Sequence, residues 1–94
     1  MVRHIVCFKL KTGESVGKAV EVLTSMKGKV PQIIEMEVGE DFLHSKRSYD
    51  IILQVVVKDK RALEEYQNDV YHCSVVKAHM HKVVESSIAV DYEF

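Results

Sequence analysis

Few side chains in this sequence can move protons near neutral pH. The foremost are five histidines, at positions 4, 44, 72, 79 and 81, because imidazole alone among the unperturbed side chains titrates there. His4 and Asp50 both carry even numbers within strand-like runs. Equal parity predicts one sheet face for the two, where the carboxylate would orient the imidazole. With a tyrosine close by, such a pair forms an acid–base set. The plainer reading has His4 and His72 as hydrogen-bonded structural histidines and Asp50 as the first residue of a strand. Tyr66 falls on a helical stripe with Ala62 and Leu63, which predicts core packing with its hydroxyl hydrogen-bonded. His72 and His79, seven positions apart, fall on one face of a regular helix, roughly 10 Å apart along its axis. That is too far to share a metal ion, and no HxxxH or HExxH occurs, so no metal site is expected. Cys7 and Cys73 form no CxxC and are read as two reduced thiols, which places the protein in the cytoplasm. Gly13, Gly17, Gly28 and Gly39 are isolated and build no phosphate-cradling loop, so no cofactor is expected. Lys9, Lys11, Lys46 and Arg47 are read as solvated charges.

The elements that must position these groups are legible from pattern. Residues 2–10, rich in β-branched and aromatic types, predict a strand. Thr12-Gly13-Glu14-Ser15 is a break with capping chemistry, and Val16, Ala19, Val20 and Leu23 then recur at helical spacing. Gly28 stops that helix, and Pro31, the single proline, prevents its continuation. Residues 32–39 predict a second strand, 44–48 a polar loop, and 49–57 the clearest strand of all. Asp59 is the expected N-cap of a helix through Ala62, Leu63 and Tyr66. Asn68-Asp69 interrupts it, a further helix covers about 72–84, and 86–93 make the last strand. The order β-α-β-β-α-β, with its second helical region broken in two, is that of the ferredoxin-like plait. It predicts an α+β fold with one antiparallel four-stranded sheet and helices on one face.

Composition sets outer bounds. The chain has 94 residues, 47% hydrophobic and 29% charged, which fits a single domain spanning 1–94. Thirteen basic against fourteen acidic residues give a formal net charge of -1, so no basic field marks it as a nucleic-acid or anionic-membrane binder. Its apolar runs are far shorter than the roughly 20 residues of a membrane-spanning helix. MVRHIVCFKL has no small-residue cleavage site and is read as a strand, not a signal peptide.

Both faces of the sheet carry apolar residues. Val2, Val6, Phe8 and Leu10 oppose Ile5 and Cys7 on the first strand. Ile51, Leu53, Val55 and Val57 oppose Ile52 and Val56 on the third. Helices can cover one face only, and a large uncovered apolar patch on a small domain is an association surface. The expectation is a homodimer packed sheet to sheet about a two-fold axis. Parity alone assigns Leu53 and Val55 to the face that a partner would cover.

HIVCFKLK, KVPQIIEMEVGED, RSYDIILQV and ALEEYQNDVYH, in that order and followed by a closing VDYEF, resemble the stress-responsive A/B-barrel (Dabb, dimeric α+β barrel) family. The resemblance runs over nearly the whole chain and implies a homodimer whose two sheets close into a barrel. It does not fix an activity. A plant member of that family closes a polyketide chain by an aldol-type condensation in a cleft between sheet and helices. Its strand-one histidine matches His4, and its Tyr and His six residues apart match Tyr66 and His72. Its strand-three histidine falls at Asp50, a departure that puts the same reaction in doubt.

The resemblance thus implies a site of His72 as acid–base group, Tyr66 as its hydrogen-bond partner, and His4 and Asp50 lining the cleft. The leading functional reading is a small apolar or carbonyl-containing molecule bound between sheet and helices. The alternatives are an enzyme with polyketide-cyclase or lyase-like acid–base chemistry, and a structural, stress-associated dimer without catalysis. An open cavity around those four residues favours the first; a filled core favours the last.

Overall fold

The computed structural model describes residues 1–94. Strand β1 (Val2–Leu10) leads to helix α1 (Val16–Thr24), then β2 (Glu35–Glu40), β3 (Ile51–Val57) and helix α2 (Lys60–Asn68). A π-helical segment (His72–Lys77) then runs directly into α3 (Ala78–Val83), and β4 (Val84–Glu93) closes the chain. The strands form one antiparallel sheet in the order β2-β3-β1-β4. This is the ferredoxin-like plait that the element order predicts.

Local chemistry explains the element ends. The Ser15 side chain accepts from Lys18 N at 3.0 Å and caps α1, and Asp59 accepts from Ala62 N at 2.8 Å and caps α2. Each satisfies a backbone donor that the first helical turn leaves free. Gly28 follows α1 at φ +76°, in the left-handed region that glycine enters without steric cost. At the break after α2 the Asp69 carboxylate accepts from His72 N at 3.0 Å.

The core lies between the sheet and the helices. Ala19, Leu23 and Met26 from the α1 region meet Ile51, Leu53, Val55 and Val57 of β3, with Tyr66, Val76, Met80 and Val83 behind them. Leu53 and Val55 are 2% and 0% exposed, so they are core residues of one protomer. The assignment of these two to a partner-facing surface is corrected. The β1–β3 register pairs even positions with odd ones, Val6 with Leu53 and His4 with Val55, and paired residues share a face. The helix-covered face therefore carries the odd positions of β3.

The opposite face has no cover. Its rows, read from β2 to β4, are Glu35–Val56–Arg3–Tyr92, Glu37–Gln54–Ile5–Val90 and Gly39–Ile52–Cys7–Ile88. Gly39 fits closely in the last row, where an added Cβ would meet Ile52 Cγ2 at 3.0 Å. Ile88 and Val90 are more than half exposed. Arg3 shields one corner, donating to the Tyr92 hydroxyl at 3.0 Å and stacking 4.5 Å from the centre of the Phe94 ring. A shallow groove of about 530 Å³, lined by Arg3, Lys27, Glu35, Glu37, Gln54 and Val56 among others, runs along this side. It holds no histidine.

The candidate site, a histidine-lined cavity between sheet and helices

The helices pack over β1, β2 and β3 and leave β4 largely uncovered, with Ser87, Ala89 and Asp91 exposed on their side of the sheet. Between this edge and the π-helical segment lies a cavity of about 300 Å³. Its walls include Val6, Phe8, Leu53, Val76 and Met80, and three polar aromatic side chains, His4, Tyr66 and His72, line it as well.

These three rings form one array. Tyr66 stands between the two imidazoles. Its ring centre is 4.3 Å from that of His72, tilted by 35°, and 5.7 Å from that of His4 in an edge-to-face arrangement. All three are buried, Tyr66 completely. His72 Nδ1 lies 2.9 Å from the Tyr66 carbonyl oxygen. A carbonyl can only accept, so Nδ1 carries the proton and Nε2 keeps its lone pair. Burial drives the His72 pKa below that of a free histidine. The nearby Lys77 and His4 lower it further, while the Tyr66 carbonyl and Asp69 pull the other way. His72 is thus a neutral imidazole with its basic nitrogen free.

The Tyr66 hydroxyl does not reach His72. It lies 3.8 Å from Met26 Sδ, a weak contact, and burial holds its pKa well above the ordinary tyrosine value. Tyr66 partners His72 through its backbone carbonyl and its ring face.

His4 has a carboxylate partner, but it is Asp91 and not Asp50. His4 and Asp91 stand directly opposite each other on β1 and β4, and His4 Nδ1 makes a short hydrogen bond to Asp91 Oδ1. Asp50 sits just before β3, where its N–H donates to Phe8 O and its Oδ2 accepts from Leu10 N, both at 2.8 Å. It fastens the far end of β1 and lies outside the cavity lining. The parity that joined it to His4 fails for the reason given above for Leu53. Asp91 escapes a sequence reading because it lies 87 positions from His4. The signal for it was the alternation Ser87, Ala89, Asp91 on a strand that must border β1 in a plait.

The second region that pattern alone misreads is the π-helical segment. In a regular helix His72 and His79 share a face, yet His79 stands apart from the cavity and His81 lines it. A π-helix turns more widely than an α-helix, so seven residues no longer make two turns. The inward positions become His72, Val76 and Met80. No three His, Cys, Asp or Glu side chains gather as a metal ion would need, and Cys7 and Cys73 are unpaired. No helix is long and apolar enough to cross a membrane.

No curated protein matches the sequence. Solved structures do. A dimeric ferredoxin-like protein of unknown function from Thermobifida fusca is 18% identical, with a TM-score of 0.85 over 99% of this chain and 90% of its own. A dimeric protein of unknown function and ferredoxin-like fold from Bacteroides fragilis is 26% identical, with a TM-score of 0.78 over 99% and 95%. The hydroxynitrile lyase from Passiflora edulis is 14% identical, with a TM-score of 0.82 over 97% and 90%. Residues 2–94 match the stress responsive A/B barrel domain, the span that holds every element of the plait and every ring of the cavity, and the chain belongs to that family.

Proposed function

We propose that the protein is a homodimer that binds a small apolar or carbonyl-containing molecule in the cavity between sheet and helices. The observation that carries this reading is the cavity itself. A filled core would have served a purely structural dimer, whereas here about 300 Å³ stays open beside two imidazoles. That volume is at the lower end of the range of about 300–1,000 Å³ typical of small-ligand sites. Apolar walls with a few convergent polar groups are the composition of such sites. Dimerisation is supported by the uncovered apolar rows of the sheet and by the dimeric neighbours from Thermobifida fusca and Bacteroides fragilis. The unpaired Cys7 and Cys73 suit a reducing, cytoplasmic setting.

A second reading is acid–base chemistry of the cyclase or lyase kind, favoured by His72. A neutral imidazole with a free Nε2 can take a proton from a hydroxyl or from a carbon next to a carbonyl, and return it later. His4, held by its hydrogen bond to Asp91, lines the same cavity and adds a second imidazole to the site. The fold similarity to a hydroxynitrile lyase is compatible with this chemistry.

The test is titration with acetophenone, a neutral aryl ketone, followed by NMR of the His4 and His72 rings and the Leu53 and Val76 methyls. These signals should move together and saturate. His72→Ala should remain folded and dimeric and lose the response. Unchanged binding to that variant defeats the assigned role of His72, and a second variant that fills the cavity, Val76→Trp, should abolish binding by occlusion.

A further inference from the structure

The polar rim of the cavity carries charge of one sign. Gln67, Lys77, His81 and Ser87 form it, and no Asp or Glu lines the cavity anywhere. Of the carboxylates beside it, Asp91 is engaged by His4 and Asp69 accepts from the His72 N–H. Lys77 Nζ is held at the rim by donating to the Gln67 carbonyl oxygen at 2.8 Å. One of its three N–H donors is thus used and two remain. Lys77 belongs to no ion pair of the protein. A half-buried ammonium beside apolar walls, tethered by a neutral acceptor, is an incomplete ion pair, and a hydrogen bond to a charged acceptor is stronger than one to a neutral group. Its field reaches the interior, where it helps keep His72 neutral.

We propose that the ligand is a small carboxylic acid in its anionic form, its apolar body against Leu53, Val76 and Met80 and its carboxylate on Lys77 Nζ. This rests on reading the cavity as a ligand site, and it adds the charge of the ligand and the residue that selects it. Lys77 is a specificity residue here. The body of the acid lies toward the His4–Tyr66–His72 array and its charged end toward solvent, so the head group keeps part of its hydration.

Benzoate, benzamide and benzylamine share one ring and nearly one size, and calorimetric titration with the three separates charge from shape. Benzoate should bind at least about tenfold more tightly than benzamide, and benzylamine should bind least. Lys77→Gln should remove the preference for benzoate and leave benzamide unchanged, and Lys77→Arg should restore it. Far-UV circular dichroism and NMR spectra of both variants report whether the cavity is intact. Equal or tighter binding of benzamide overturns the anion assignment and leaves the cavity reading standing. A preference that survives Lys77→Gln overturns the role of Lys77. If none of the three binds or shifts the His72 and Leu53 signals at millimolar concentration, the cavity reading falls and this assignment with it.

Discussion

Acidification should destabilise this protein through one identifiable proton. His72 is buried against Tyr66, its Nδ1 proton committed to a carbonyl, and its pKa lies below the unfolded value, with burial as the leading cause. Above the unfolded histidine pKa of about 6.5 both states are neutral and the difference contributes nothing. Below it the unfolded chain takes up a proton that the folded ring refuses. Stability therefore falls as pH drops, until the folded ring itself protonates. One proton sets the limiting slope, about 1.4 kcal/mol per pH unit. The assay is urea unfolding of wild type and His72→Gln from pH 7.5 to 4.5 at one fixed protein concentration, because a dimer's apparent stability depends on it. At pH 7.5 the variant should be weaker by about 0.5–1.5 kcal/mol, the net worth of the lost Nδ1–H bond, because the Tyr66 carbonyl still accepts from the Asp69 N–H at 3.3 Å. Between pH 6.5 and 5 the wild type should lose stability faster, so that the gap narrows. Titrating groups remote from His72 are common to both proteins and cancel in the difference, which leaves His72 and the groups coupled to it. Parallel curves would refute the argument that burial holds His72 neutral.

Tyr66→Phe removes a hydroxyl whose partner is a distant thioether sulfur, so the melting midpoint should correspond to less than about 1 kcal/mol lost, and acetophenone binding should survive. A large loss of binding would show that the hydroxyl faces the ligand. Val90→Asp, on the exposed sheet face, should convert the dimer to a folded monomer in sedimentation equilibrium, whereas Leu53→Asp should unfold the protomer by burying an unpaired charge. A dimer that persists with Val90→Asp would remove that face from the interface. Asp91→Asn should leave the fold intact but shift the His4 ring nitrogen resonances and lower affinity for acetophenone, while Asp50→Asn should loosen the β1–β3 end and leave those resonances in place.

What the sequence determined by itself is what local rules carry. Ser15 and Asp59 announce helix starts, Gly28 and Pro31 a stop, and the β-branched run at 51–57 a buried strand, because caps, φ preferences and hydrophobic period act over a few residues. The plait follows from element order, and the excess of apolar strand residues follows from counting faces. Tyr66 and His72 were paired by the family resemblance, and the break at Asn68-Asp69 turns the chain so that the His72 ring meets the Tyr66 carbonyl. The tertiary structure decided the rest, since register is a long-range quantity. Pairing even positions of β1 with odd ones of β3 put Leu53 under the helices. It sent Asp50 to the end of the sheet and left His4 to a carboxylate on the last strand. The π-helical turn had no sequence mark, yet it brought Lys77 and His81 to the cavity rim and took His79 away. A single residue of slip in a strand exchanges its two faces, and so the identity of the charged partner at a buried histidine rests on the assembled sheet.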